Sequence, residues 1–336
     1  MRKTNIKFVE HLKAYIIGSI SFMIIGLIVA LTLGVKMDIN FTGGSRFSYT
    51  YSNEISTDDA AAAVSDALGK SVNVSQSTDI TGTTSKLVVL LASNEALTTE
   101  QQSSITTTLQ TTFPDNSIAF SESNTVNSSV AGGFFAKSIF AVILASVLVV
   151  IYIGIRFRKI GGVSAGVMSM IALVHDVLIA FFVCTIFRLQ VDANFIAVVL
   201  TLLGYSLNDT VVVYDRIREN ERLYPNMSKR DLVNGSINQT LGRTLVTATA
   251  VFFSIATIAV VSVIFGITSL LSFAIPMCFA TVSGCYSSVC IAGPLWVKWC
   301  EYSEKHEKQK AIIGKSNKKS KISRYADMTA KNSKNK

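Results

Sequence analysis

The chain reads as a polytopic α-helical membrane protein with six transmembrane helices and one extracytoplasmic α+β domain of ferredoxin-like order. Hydrophobic residues make up 49% of the sequence and charged residues only 16%. Apolar runs long enough to cross a hydrocarbon core of about 30 Å recur along it. The one long polar stretch between such runs alternates between strand and helix periodicity, as a compact folded insert does.

The predicted spans are Ala14 to Val35, Phe134 to Ile155, Gly162 to Phe187, Ala193 to Val213, Thr244 to Phe265 and Leu270 to Val297. Gly161 and Gly162 separate the second from the third, and Gly266 to Ser269 forms a tight turn between the last two. The first apolar run, at about 22 residues, exceeds a signal-peptide core of roughly 7 to 15 and reads as a retained anchor. The organisation is a cytoplasmic N-terminus (1–13), the first helix (14–35), an exported domain (36–130), five further helices (134–297) with a cytoplasmic loop at 214–243, and a basic tail (298–336) expected to be disordered.

Orientation follows from the positive residues, which are retained on the cytoplasmic side near helix ends. Arg2, Lys3, Lys7 and Lys13 precede the first helix; Arg156, Arg158 and Lys159 follow the second; Arg216, Arg218, Arg222, Lys229, Arg230 and Arg243 lie between the fourth and fifth. Both termini are therefore expected in the cytoplasm. The acidic stretch from Lys36 to Val130 faces out.

That stretch begins MDINFTGG, whose paired glycines suggest a tight turn or a close approach of backbone to something packed upon it. Strand alternation over Arg46 to Tyr51, a helix over Ser56 to Leu68 capped by Ser56 with Asp59, and alternation over Ser71 to Ser77 follow. An apolar run from Lys86 to Leu91, a helix from Leu97 to Thr112 and a strand from Ser117 to Ser121 complete a β-α-β-β-α-β order, the ferredoxin-like arrangement. The domain shows no catalytic equipment and reads as a binding or mechanical module. The polar segment Asn124 to Val130 reads as a hinge into the second helix.

The five cysteines, Cys184, Cys278, Cys285, Cys290 and Cys300, sit in membrane helices or at their inner boundary, without metal-ligand spacing, and read as small packing residues.

Within the fourth helix, GYSLNDTVVVYDRIREN carries Asp209. An ionised Asp in a spanning segment costs roughly 2.5 to 3.5 kcal/mol, so it faces a bundle interior or a watery cavity and marks an ion path by default. The alternative is a helix-end carboxylate that only pairs with an arginine. Tyr205, Ser206 and Asn208 give it polar company, and the charged residues from Asp215 to Arg222 extend the helix as a mixed-charge surface. The third helix carries His175 and Asp176 near its middle, suited either to proton relay or to polar glue between helices. Ser228 and Asp231 open a capped amphipathic segment, Ser228 to Leu241, expected to lie on the inner surface. Arg243 then opens the fifth helix at the depth of Asp209, where a pair is geometrically reasonable; snorkelling to headgroups is the other reading.

The stretches VHDVLIA, LLGYSLNDTVVVYDRIREN, SINQTLGRTLVTATA and CYSSVCIAGPL, in this order and spacing, resemble the SecF family, the smaller half of the SecD–SecF protein-export pair. The resemblance implies half of an RND-type fold in the cell membrane. It also implies SecD as the second six-helix half, the Sec translocon channel of SecY, SecE and SecG as a partner, and a translocating unfolded protein chain as client. The family's coupling carboxylate falls on Asp209 and its linked basic residue on Arg243, with Asp176 and Asn208 as polar residues of the shared interface. The work implied is use of the proton motive force, with sodium as a substitute ion, to promote translocation and release on the outer side. One departure stands out: the family commonly has Asp just before the FTGG-type turn, whereas this chain has Asn40, with Asp38 two positions earlier. The rival readings are a half-size exporter of a lipid or small hydrophobic molecule and a passive translocon scaffold.

The tail from Lys298 carries an excess of Lys and Arg that positive-inside retention explains; anionic lipids or ribosomal RNA are the partners such a charge would meet. Phosphate-binding loop, zinc spacing and nucleophile elbow are all missing from the sequence, so it is read as a non-enzyme without a cofactor.

Overall fold

The computed structural model describes residues 6–78, 85–91, 98–158, 161–265, 267–307 and 309–310. Among them are six helices long and apolar enough to cross a membrane. In chain order, α1 (Leu12–Leu33) leads to a short helix α2 (Ile39–Thr42) and then to β1 (Gly44–Tyr51), α3 (Thr57–Leu68), β2 (Val72–Thr78), β3 (Ser85–Leu91), α4 (Thr99–Thr112) and β4 (Ala119–Val126). The chain returns through α5 (Ser128–Arg156), α6 (Gly162–Ile186), α7 (Ala193–Leu223), α8 (Lys229–Ile264) and α9 (Thr268–Ser287). The last helix passes through a π-helical turn, Ser288–Ala292, and runs on to Glu307.

The bundle has an inner and an outer set of helices. In their most apolar windows α6, α7 and α9 are 56%, 44% and 67% buried, whereas α1, α5 and α8 are 11% buried and show apolar side chains outward. Such outward faces are what lipid or a second protein covers.

The polar insert is a four-stranded antiparallel sheet of order β2-β3-β1-β4. Alternation puts Phe47, Tyr49, Leu87, Val89 and Leu91 on one face, where they pack against Ala60 and Val64 of α3 and Ile105 and Leu109 of α4. Both helices therefore cover that face. Ser56 caps α3 by accepting from Asp59 N at 3.3 Å, as its sequence position predicts.

The insert is pinned to the bundle at several points. Gly43 has φ of +76°, and a Cβ there would lie 2.8 Å from Ser128 Cα, so the FTGG turn is a close backbone approach to the start of α5. Phe41 stacks on Phe134 at 5.6 Å and meets Phe135 edge-on at 5.7 Å. Val191 N donates to Lys36 O at 2.8 Å and Asp38 N to Val191 O at 3.0 Å. Arg188 Nη1 donates to Leu33 O (2.8 Å) and Gly34 O (2.7 Å), closing the carbonyl end of α1.

Several sequence expectations change. The hinge over Asn124 to Val130 does not form: β4 runs to Val126 and α5 starts at Ser128, because Asn127 caps the helix by accepting from Ser129 N at 2.9 Å. The loop expected at 214–243 shrinks to residues 224–228, and the segment from Ser228 to Leu241 is the first part of α8 rather than a helix on the inner surface. Opposite charges and amides support these extensions: Arg218 pairs with Asp215 (2.5 Å), Arg216 with Glu219 (2.6 Å), and Asn220 Nδ2 reaches Ser236 Oγ and Gln239 Oε1, each at 2.8 Å. Residues 298–307, expected in a disordered tail, continue the last helix, held by the Arg230–Glu301 and Lys229–Glu304 pairs. Lys308 and residues 311–336 lie outside the described residues, as do Leu97 of the expected second domain helix and Gly266 of the expected last turn. That turn is entered by α9 already at Thr268.

Candidate functional site

The three inner helices meet around Asp176, whose relative exposure is 0%. Three serine hydroxyls from α7 and α9 and the imidazole of its own neighbour on α6 converge on its carboxylate. Ser206 Oγ of α7 donates to Oδ2 at 2.9 Å, Ser283 Oγ of α9 to Oδ1 at 2.6 Å, Ser287 Oγ of α9 to Oδ2 at 2.7 Å, and His175 Nδ1 lies 3.0 Å from Oδ1. The close approach this needs comes from Gly284, where a Cβ would stand 3.3 Å from Ser206 Cβ and 3.5 Å from the Tyr205 ring. Directly after Ser287 the α-helical ladder gives way to the π-helical turn, a feature that recurs at functional sites. Ser288 Oγ then lies 2.9 Å from Thr210 Oγ1 and donates to Ser206 O at 3.3 Å.

Asp209 lies one turn beyond Tyr205 on α7 and is also buried, at 2% exposure. Its surroundings are different. Asp209 Oδ2 has no hydrogen-bond partner among the described residues, and neither do the buried Tyr205 hydroxyl, His175 Nε2 or Thr244 Oγ1. Arg243 stands inside α8 rather than at its start, is exposed, and makes no ion pair within 4 Å among the described residues. Asn208, the residue preceding Asp209, is exposed.

The five predicted site residues thus separate into three settings. His175 and Asp176 share one polar cluster although successive helical residues point about 100° apart, because the imidazole folds back onto its neighbour. Asp209 is buried and Arg243 exposed, with no ion pair between them within 4 Å. Asn208 belongs to the outer surface. The sequence singles out Ser206 but not Ser283 and Ser287, for which the i, i+4 spacing on one helix was the available signal. The cysteines are free, and no group of three metal-ligating side chains occurs among the described residues.

Asn40, which departs from the family pattern, has a plain structural role. Its N and Nδ2 donate to Asp38 Oδ1 at 2.9 and 2.5 Å, and Arg46 pairs with the other Asp38 oxygen. The outer carboxylate at 38 is therefore fully engaged in holding the turn.

A multi-pass helical bundle with buried intramembrane carboxylates and a folded insert after its first helix defines the class: a membrane protein built around polar chemistry between its helices. The family described as protein export membrane protein SecD/SecF, C-terminal, matches residues 104–302, and the chain belongs to that family. The protein translocase subunit SecF of Petrotoga mobilis is 30% identical over 90% of this chain and 99% of its own length. That of Cereibacter sphaeroides is 32% identical over 86% of this chain and 88% of its own length. SecDF of Bacillus subtilis is 28% identical over 87% of this chain but only 38% of its own length. The crystal structure of a SecDF from Thermus thermophilus, described as a translocon-associated membrane protein, superposes with a TM-score of 0.73 at 26% identity, covering 89% of this chain and 39% of that one.

Proposed function

We propose that this chain is the SecF-type half of an export motor that pairs with a SecD-type half and works beside the SecY, SecE and SecG channel. It uses a proton or sodium gradient to promote translocation and release of unfolded exported chains on the outer side. In this reading it is not an enzyme, and both termini are cytoplasmic, with anionic lipids near the basic tail. The insert is the extracytoplasmic domain, and its β2-β3-β1-β4 order with both helices on one face supports the ferredoxin-like assignment. The SecDF relatives, of which this chain covers 38% and 39%, leave length for a second half.

One observation carries the coupling role: of two buried intramembrane carboxylates, Asp176 accepts from three serine hydroxyls, while Asp209 keeps a buried oxygen without a hydrogen-bond partner among the described residues. A carboxylate so engaged has a fixed structural task. Asp209 is the group free to exchange an ion, and doing so changes its attraction to Arg243. Each charge crossing the full potential supplies about 2.3 kcal/mol per 100 mV, the scale of one conformational preference.

The test is gradient-dependent export of a secreted reporter in inverted vesicles, with Asp209→Asn and the native chain inserted at equal level beside their partner. Loss of the gradient-dependent component with intact assembly is the expected result. Unchanged export would make Asp209 structural and the chain a passive scaffold.

A further inference from the structure

A cleft of about 760 Å³ separates the sheet face not covered by α3 and α4 from the end of the bundle beneath it. Its roof is formed by Arg46, Lys86, Val88 and Leu90 among others, and its floor by the residues just past α1, the α6–α7 connection and the start of α9. Four cations line it, Lys36, Arg46, Lys86 and Arg188, against two acids, Glu122 and Asp192.

The cations outnumber the acids, and both acids already accept hydrogen bonds from within the fold. Asp192 caps α7, accepting from Asn194 N at 2.9 Å and Phe195 N at 3.2 Å, and also accepts from Ser272 Oγ at 2.9 Å; Glu122 accepts from Ser48 Oγ at 3.3 Å. Arg46 pairs with Asp38, yet its Nε is buried without an acceptor among the described residues, and so is Gln190 Nε2, another lining group. Lys36 and Lys86 have no ion pair within 4 Å among the described residues. Burial, with the Arg188 charge added, holds the Lys36 ammonium below the usual lysine range. Unmatched donors and unpaired cations ask for an anion with several acceptor oxygens.

The same cleft is rimmed by apolar residues where the helices end. Val35, Met37, Ile267 and Leu271 line it beside the cations, and Val35 and Met37 are exposed. An anion that also carries hydrocarbon satisfies both halves of this lining, and one lies at hand in the bilayer surface at that end of the bundle. We propose that the cleft between the sheet and the bundle holds the headgroup of an anionic phospholipid from the leaflet on that side, with its acyl chains running down past the end of α1. The lipid would then join the insert to the bilayer and set how the sheet stands on the bundle.

The experiment is native mass spectrometry of the delipidated full-length chain in detergent, titrated with phosphatidylglycerol, phosphatidylcholine, inorganic phosphate or an unfolded secretory peptide. The native chain is expected to take up phosphatidylglycerol in preference to phosphatidylcholine. Lys36→Gln with Lys86→Gln is expected to weaken that uptake by about thirtyfold, on the basis of two basic groups at a membrane surface. Lys305→Gln, at the other end of the bundle, should leave it unchanged; circular dichroism of each variant confirms that the fold is kept. Equal uptake of both lipids, or uptake that the double substitution does not alter, overturns the proposal. So does saturation by phosphate alone, which would make the cleft a free-anion site, or binding of the peptide in place of lipid, which would make it a groove for the exported chain. None of these outcomes bears on the ion-coupling role of Asp209, which the vesicle assay tests separately.

Discussion

Ser283 and Ser287 each give a hydroxyl to Asp176, so replacing either by alanine removes one bond between α9 and α6. Interhelical bonds in membranes are worth on average about 0.6 and at most about 1.7 kcal/mol, so Ser283→Ala should lower thermal stability in detergent only slightly. Asp176→Ala is expected to do far more, because it strands hydroxyls on two helices and the imidazole at once, each costing roughly 1 to 3 kcal/mol when buried unpaired. A denaturation midpoint for Asp176→Ala no lower than that of Ser283→Ala would refute the clamp. Lys36 makes a second prediction at this scale. Its pKa is lowered in the folded chain, by burial first and Arg188 next, so the unfolded chain binds more protons than the folded one between the lowered value and the usual lysine value. Stability must therefore rise with pH across that alkaline window. In Lys36→Met this contribution should vanish, and thermal melts across the window, compared between the two proteins, give the answer.

At the scale of elements, much was legible because period and length are local properties. The six apolar runs, the β-α-β-β-α-β order and the caps at Ser56 and Ser228 all come from a few neighbouring residues, and each has its counterpart in the structure. What failed to show was where a helix goes on after its apolar stretch ends. The continuation of α7 past Val213 and the early start of α8 depend on cross-helix partners such as Asn220 with Ser236 and Gln239, remote in sequence and polar in kind. The N-terminal segment illustrates the same point: Asn234 Oδ1 accepts from Val9 N and Asn238 Oδ1 from Ile6 N, both at 3.0 Å, which ties it to α8 by contacts no local pattern announces. The candidate site divides likewise. Carboxylates in apolar helices are conspicuous by cost alone, but serines are cheap in such helices, so the cage around Asp176 needed the fold to reveal it.

At the scale of the whole molecule, the outer surfaces of the bundle are not alike. On α1 most exposed residues are large and apolar, with Leu31 at 78% exposure, a face suited to lipid. On α7 the exposed positions Ala197, Leu200, Thr201, Gly204 and Asn208 follow one another at helical spacing and, apart from Leu200, are small or polar, which suits close packing of another helix and a bond across to it. Proteins of two six-helix halves place their coupling groups where the halves meet. On the proposed function, that meeting place is the α7 stripe, with Asp209 next to its last residue. Cysteine at 208 in an otherwise cysteine-free chain should then cross-link to a SecD-type partner scanned with single cysteines along its own corresponding helix, while cysteine in place of Leu31 should not. Cross-linking from position 31 with none from 208 would move the seam to α1, and Asp209 would then lie away from any shared path, leaving its unpartnered oxygen to be explained by this chain alone.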